Sequence, residues 1–139
     1  MAPQILKKTA ADVALNFVDH INSHDIAALS NLVTEDVVFV DALGQEIRSV
    51  QRLKKGWLAY FTWFPDYSIQ VDDAFSSGNV AGLFGYAHGT HAVQGQMLPE
   101  NRWRIPAAWK AVIRNGQVAE WRVYADNEPV WKIMRVKRY

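Results

Sequence analysis

The chain has no cysteine. That absence excludes disulfides, thiol nucleophiles and thiolate metal centres. No apolar run approaches the ~18–20 residues that a membrane-spanning helix needs. Residues Met1–Asp12 lack a long apolar core followed by small residues, so they do not read as a secretory leader, and a cytoplasmic location is expected. An excess of one charge is also missing. Fifteen basic residues face fourteen acidic ones, for a net charge of +1, which leaves no electrostatic footprint for nucleic acid. The basic tail Lys132, Arg135, Lys137 and Arg138 is a local exception and reads as a solvated terminus.

What the chain does have is apolar mass. Half of its 139 residues are hydrophobic and it carries six tryptophans. A single domain of this size buries roughly 68–70% of its unfolded surface, enough for a core and a modest internal cavity.

Thr9 and Asp12 form a capping-box-like pair ahead of Val13, Ala14, Phe17, Val18 and Ile21, which recur at three- and four-residue spacing. This predicts an amphipathic helix ending near Asn22–Ser23. Asp25–Val33 reads as a short second helix. Val37–Asp41 is β-branched and aromatic, so it reads as a strand, with a turn at Ala42–Leu43–Gly44. Ser49 caps a third helix, Val50–Phe64, which Pro65 stops. Gly56 inside that helix suggests close approach of another element. Strands follow at Tyr67–Phe75 and Val80–His91, then a loop Ala92–Asn101, then strands Trp103–Arg114 and Gln117–Ala125 around an Asn115–Gly116 hairpin turn. Asp126–Pro129 ends the last strand, and Trp131, Ile133 and Met134 are expected to pack the tail back on the domain. Helices first and strands after, without βαβ alternation, indicate an α+β fold with helices on one face of a curved antiparallel sheet.

The segment Tyr86–Trp109 stands out as a pocket wall, with two of the four histidines and two of the tryptophans. His88 and His91 are three apart, so a regular strand puts them on opposite faces, and only a bulge near Gly89 would bring them together. No metal motif results. Asp41, at the end of an apolar strand, has two readings of equal weight: a general base, or a turn-former bonding nearby amides. Asp126 likewise reads as a proton-transfer group or a strand-ending cap.

Several of these residues resemble a known family. The element order, with Phe64–Pro65–Asp66 closing the third helix, is similar to the nuclear transport factor two-like cone: a curved, antiparallel or mixed sheet wrapped on three N-terminal helices. Gly89–Thr90–His91 with Gly95, Pro99 and Arg102, and Asn115–Trp121 with Tyr124 and Asp126, resemble the pattern of SnoaL-like polyketide cyclases. The resemblance covers about residues 10–134 of a single domain. It implies a conical apolar pocket, frequent homodimers, and acid–base chemistry without metal or organic cofactor. It also favours His91 as the inward histidine. Phe39–Gly44 resembles the segment carrying the catalytic base of ketosteroid isomerases, with Asp41 at the base. That family's helix-one tyrosine falls on Phe17 and its strand acid near Ala108. A site lacking both donors is not expected to isomerise steroids.

Two functions follow. One is a cofactor-independent cyclase, isomerase or hydratase, with Asp41 or Asp126 paired with His91. Its apolar cyclic substrate would be held by Phe17, Trp57, Tyr60, His88, Trp103, Trp109, Trp121 and Tyr124. The other is a non-catalytic ligand-binding or dimerisation module of the same fold.

Overall fold

The computed structural model describes residues 8–136. The basic-tail residues Lys137 and Arg138, and most of the opening segment, lie outside them. Helix α1 (Ala10–Asn22) starts with the expected capping box: the Thr9 side chain accepts from the Asp12 amide, and the Asp12 carboxylate accepts from the Thr9 amide. Its apolar stripe, from Val13 to Ile21, is buried. Helix α2 (Ile26–Asn31) is shorter than the sequence spacing predicts, because Val33 already belongs to strand β1 (Val33–Val40). A short β2 (Glu46–Arg48), which sequence reading missed, pairs with β1. Helix α3 (Val50–Trp63) is capped by Ser49 and ends ahead of Pro65.

Strands β3 (Ser68–Ser77), β4 (Val80–Val93), β5 (Gln96–Arg114) and β6 (Gln117–Ala125) complete a six-stranded sheet in the order β2-β1-β6-β5-β4-β3. All pairings are antiparallel except β1 with β6, which is parallel. The expected loop 92–101 is instead the tip of a long β4–β5 hairpin. Gln94 and Gly95 both adopt positive φ (52° and 78°), as a tight two-residue turn matching strand twist requires. A last helix, α4 (Glu128–Val136), follows β6. Pro129 sits in its first turn, where a missing N–H costs nothing, so the segment that ends the last strand as expected also begins a helix.

Helices α1 and α3 cover the concave face of the sheet. The inward residues of β5 alternate cleanly: Trp103, Ile105, Trp109 and Ala111 are buried while the even-numbered neighbours point outward. Two glycines set local geometry. A Cβ at Gly85 would lie 1.9 Å from the Gln70 carbonyl oxygen, beside the β3 bulge at Val71/Asp73. A Cβ at Gly89 would press Trp103 at 3.1 Å and Phe64 at 3.4 Å, so its absence lets both rings lie against β4. Gly56 is different: an added Cβ would meet only Ile47, at 4.0 Å, so no element packs tightly there.

Candidate functional site

A cavity of about 500 Å³ lies between α3 and the concave face of the sheet. All six tryptophans of the chain line it: Trp57 and Trp63 from α3, Trp103 and Trp109 from β5, Trp121 from β6 and Trp131 from α4. Among the described residues, Asp41 is the one carboxylate on this wall, and no Lys, Arg or His joins it. The remaining polar groups are Gln45, Asn127, the phenols of Tyr60 and Tyr67 and the indole N–H groups, of which those of Trp103 and Trp109 are buried without a partner among the described residues. Such a wall suits a flat, uncharged, apolar molecule with few polar handles. A second hollow of about 400 Å³ adjoins it between α3 and α4, sharing Tyr60, Trp63, Asn127 and Trp131.

Asp41 follows β1 directly and organises the turn to β2. Its Oδ1 accepts from the amides of Leu43 and Gln45, both at 2.9 Å. Its own amide donates to the Gln45 carbonyl, and its carbonyl accepts from the Gly44 amide. The turn role is therefore real and uses one carboxylate oxygen. The other, Oδ2, has no partner among the described residues. A carboxylate pinned through one oxygen and free at the other can both hold a turn and move a proton.

Tyr60 and Tyr67 meet edge to face, with ring centroids 4.8 Å apart at 89°. Tyr60 also packs on Phe64 at 4.9 Å. Tyr67 is fixed from two sides. Its amide donates to the Phe64 carbonyl at 3.0 Å, and the His24 Nε2–H donates to its carbonyl at 2.8 Å. His24 in turn stacks on Phe61 at 4.0 Å, nearly parallel. Burial pushes the Tyr60 phenol well above its ordinary value, and burial with the nearby Tyr60 does the same for Tyr67. Both phenols therefore stay protonated, and remain hydrogen-bond donors, throughout the neutral range.

The other candidates are placed as follows. Trp57, Tyr60, Trp103, Trp109 and Trp121 stand on the cavity wall. Phe17 does not; it is buried behind the wall, supporting Trp57 at 6.0 Å and Trp121 at 4.9 Å. His88 pairs with Ser68 and Arg104 and has the parity opposite to the wall residue Ala87, so it leaves the cavity. Tyr124 is exposed on the outer face under Arg122. His91 falls at a β4–β5 bulge between Thr90 and Ala92 and packs on Phe64 at 5.8 Å, off the cavity wall. Asp126 is exposed and accepts from the Glu128 amide at 3.0 Å, capping α4. Neither expected couple, Asp41–His91 nor Asp126–His91, forms a hydrogen bond or ion pair. The inward position near Ala108 is in fact Ala107, which also carries no acid; Ala108 faces outward beside Phe84 and Tyr124. Among the described residues no three His, Asp or Glu side chains gather as a metal would need.

Sequence reading missed Tyr67, Trp63, Trp131 and Asn127. The spacing of Val130, Trp131, Ile133 and Met134 is helical and could have exposed α4. Tyr67 had no periodic signal, because it sits in the short turn between α3 and β3.

The SnoaL-like domain family matches residues 14–121. Nothing among curated proteins matches the chain. A structure from Shewanella putrefaciens, described as a putative SnoaL-like polyketide cyclase, superposes with a TM-score of 0.79 at 14% identity, covering 94% of this chain and 99% of that one. IdmH of Streptomyces antibioticus, described as a putative polyketide cyclase, gives 0.76 at 19% identity over 92% and 99% of the two chains. A hypothetical protein with a ketosteroid isomerase-like fold from Catenulispora acidiphila gives 0.70 at 13% identity over 81% and 84%. The family model spans most of the chain, solved structures of that kind share its fold, and the chain belongs to the SnoaL-like domain family.

Proposed function

We propose that this protein is a cofactor-independent acid–base enzyme of the cyclase, isomerase or hydratase type, acting on an apolar cyclic molecule held in the tryptophan-lined cavity. Asp41 is the group that takes and returns the proton. The observation that carries this reading is the combination at Asp41: among the described residues it is the sole carboxylate of an apolar wall, fixed through Oδ1 by two amides and without a partner at Oδ2. A carboxylate so held needs little reorganisation to meet a C–H proton. His91 and Asp126, expected partners in the chemistry, have no part in it.

A bicyclic ketone such as 2-tetralone tests the elementary step. The protein should speed exchange of its α-hydrogens in heavy water, and Ala107→Phe, which fills the hollow, should suppress that exchange while circular dichroism stays native. Exchange at the buffer rate, or exchange untouched by Ala107→Phe, would reject the reading.

The non-catalytic alternative has its own support, since Asp41 has a sufficient structural role in its turn and no His partner. Quenching of tryptophan fluorescence by the ketone, without exchange, would favour it. The exposed Phe75, Phe84 and Tyr124 on the outer sheet face support a homodimer formed through that face; sedimentation of a Phe84→Lys variant would check this. No described helix is long and apolar enough to cross a membrane, and cytoplasmic residence remains part of the proposal.

A further inference from the structure

We infer that the hollow between α3 and α4 is a tail subsite, which takes a short unbranched chain ending in a carboxylate and borne by a ring system in the main cavity. The inference rests on the cavity reading above and adds a second binding region and a ligand class to it.

This hollow of about 400 Å³ shares Tyr60, Trp63, Asn127 and Trp131 with the main cavity. An occupant of one can therefore continue into the other beside these side chains. The rest of its lining is Phe64, Val130, Met134 and Arg135. Val130 and Met134, and likewise Trp131 and Arg135, stand four apart on α4, so one side of that helix borders the hollow. Val130 is buried and anchors the helix, and Asp126 caps its start. The lining is mostly apolar, and the flexible thioether of Met134 adapts to an irregular occupant. Such a surface suits methylene groups.

Charge sets the direction of the ligand. Among the described residues, the main cavity wall carries a carboxylate, Asp41, and no cation, whereas the second hollow carries a cation, Arg135, and no carboxylate. An acid is repelled at the first and attracted at the second; an ammonium group is repelled at the second. Arg135 donates to the Glu128 carboxylate at 2.6 Å, but the two side chains are 53% and 43% exposed. So exposed a pair is worth little, and the guanidinium fork can turn to a ligand carboxylate at small cost. The ring stays uncharged among the indoles, and the charge lies outside the main cavity. The class is therefore an arylalkanoate.

Tryptophan quenching by naphthalene, 4-(2-naphthyl)butanamide and 4-(2-naphthyl)butanoate separates the parts. The amide should bind about tenfold more tightly than naphthalene, as partial burial of its methylenes would give. The acid should exceed the amide by up to about fivefold at low salt, and high salt should erase that margin. Met134→Trp, which fills the second hollow without touching the main wall, should bring the amide down to the level of naphthalene and leave naphthalene itself unchanged. Arg135→Gln should remove only the margin of acid over amide. An amide no tighter than naphthalene, or a gain that survives Met134→Trp, would overturn the tail subsite and leave the cavity reading intact. An acid held no better than the amide, or a margin kept in Arg135→Gln, would overturn the ligand class. Failure of naphthalene itself to bind would overturn the cavity reading as well.

Discussion

His91 packs on the Phe64 ring at 5.8 Å, and Phe64 packs in turn on Tyr60 and Trp103 of the cavity wall, at 4.9 and 5.3 Å. A phenyl ring thus connects the histidine to the site without admitting it. His91→Ala should leave ketone affinity and exchange within about twofold of wild type, since ordinary packing losses that far from a ligand add independently. A rate loss near the ~10²–10⁴-fold expected of a general base would return His91 to the chemistry.

The neighbouring motif residues are anchors. Asp66 accepts from the Thr90 amide at 2.6 Å and from its hydroxyl at 2.7 Å, tying the end of α3 to β4. Asp66→Ala should destabilise the domain by about 1.5–3 kcal/mol in urea unfolding, the usual worth of hydrogen bonds to a charged group. An unchanged midpoint would mean that the turn does not depend on this bond.

The glycines of α3 and β4 should behave oppositely. Gly56→Ala gains up to about 1 kcal/mol of helix propensity and meets no crowded atom. Gly85→Ala drives a methyl group into the Gln70 carbonyl and should cost upward of about 3 kcal/mol, or prevent folding. Thermal melts of the two variants should move in opposite directions.

Stability should fall at alkaline pH. The folded state holds the phenols of Tyr60 and Tyr67 above their ordinary value of 10.0, so their contribution is complete below pH 10. Above it, the unfolded chain ionises while the folded one does not, and each phenol removes about 1.4 kcal/mol per pH unit. Unfolding followed from pH 9 to 11 should show this slope, and Tyr60→Phe and Tyr67→Phe should each reduce it.

Much of the cone was legible in the sequence because it rests on local rules. The Thr9 capping box, the buried stripe from Val13 to Ile21, the stop at Pro65 and the Asn115–Gly116 turn each signal through residues close in sequence. The parallel β1–β6 pairing brings together residues far apart in the chain and left no such mark. Gln94–Gly95 was passed over because a polar stretch reads as loop although positive φ at two positions suffices for a hairpin. For the site, aromatic periodicity found Trp57 of α3 and the tryptophans of β5; Phe17 belongs to the buried stripe of α1 behind the wall, and Tyr124, three residues after Trp121 on β6, takes the outer face. Parity fixes a face, and the hollow occupies only part of that face. Tyr67 is placed by His24 and Phe64, contacts that no spacing rule anticipates.

The proposed proton transfer depends on Asp41. Asparagine keeps a side-chain oxygen for the amides of Leu43 and Gln45, so Asp41→Asn should preserve the turn and ketone binding while removing the base. The decisive measurement is the ratio of 2-tetralone α-hydrogen exchange rates, wild type over Asp41→Asn, at saturating ketone. A ratio of about 10²–10⁴ with unchanged affinity is predicted; a ratio near one would contradict the assignment of proton transfer to this carboxylate.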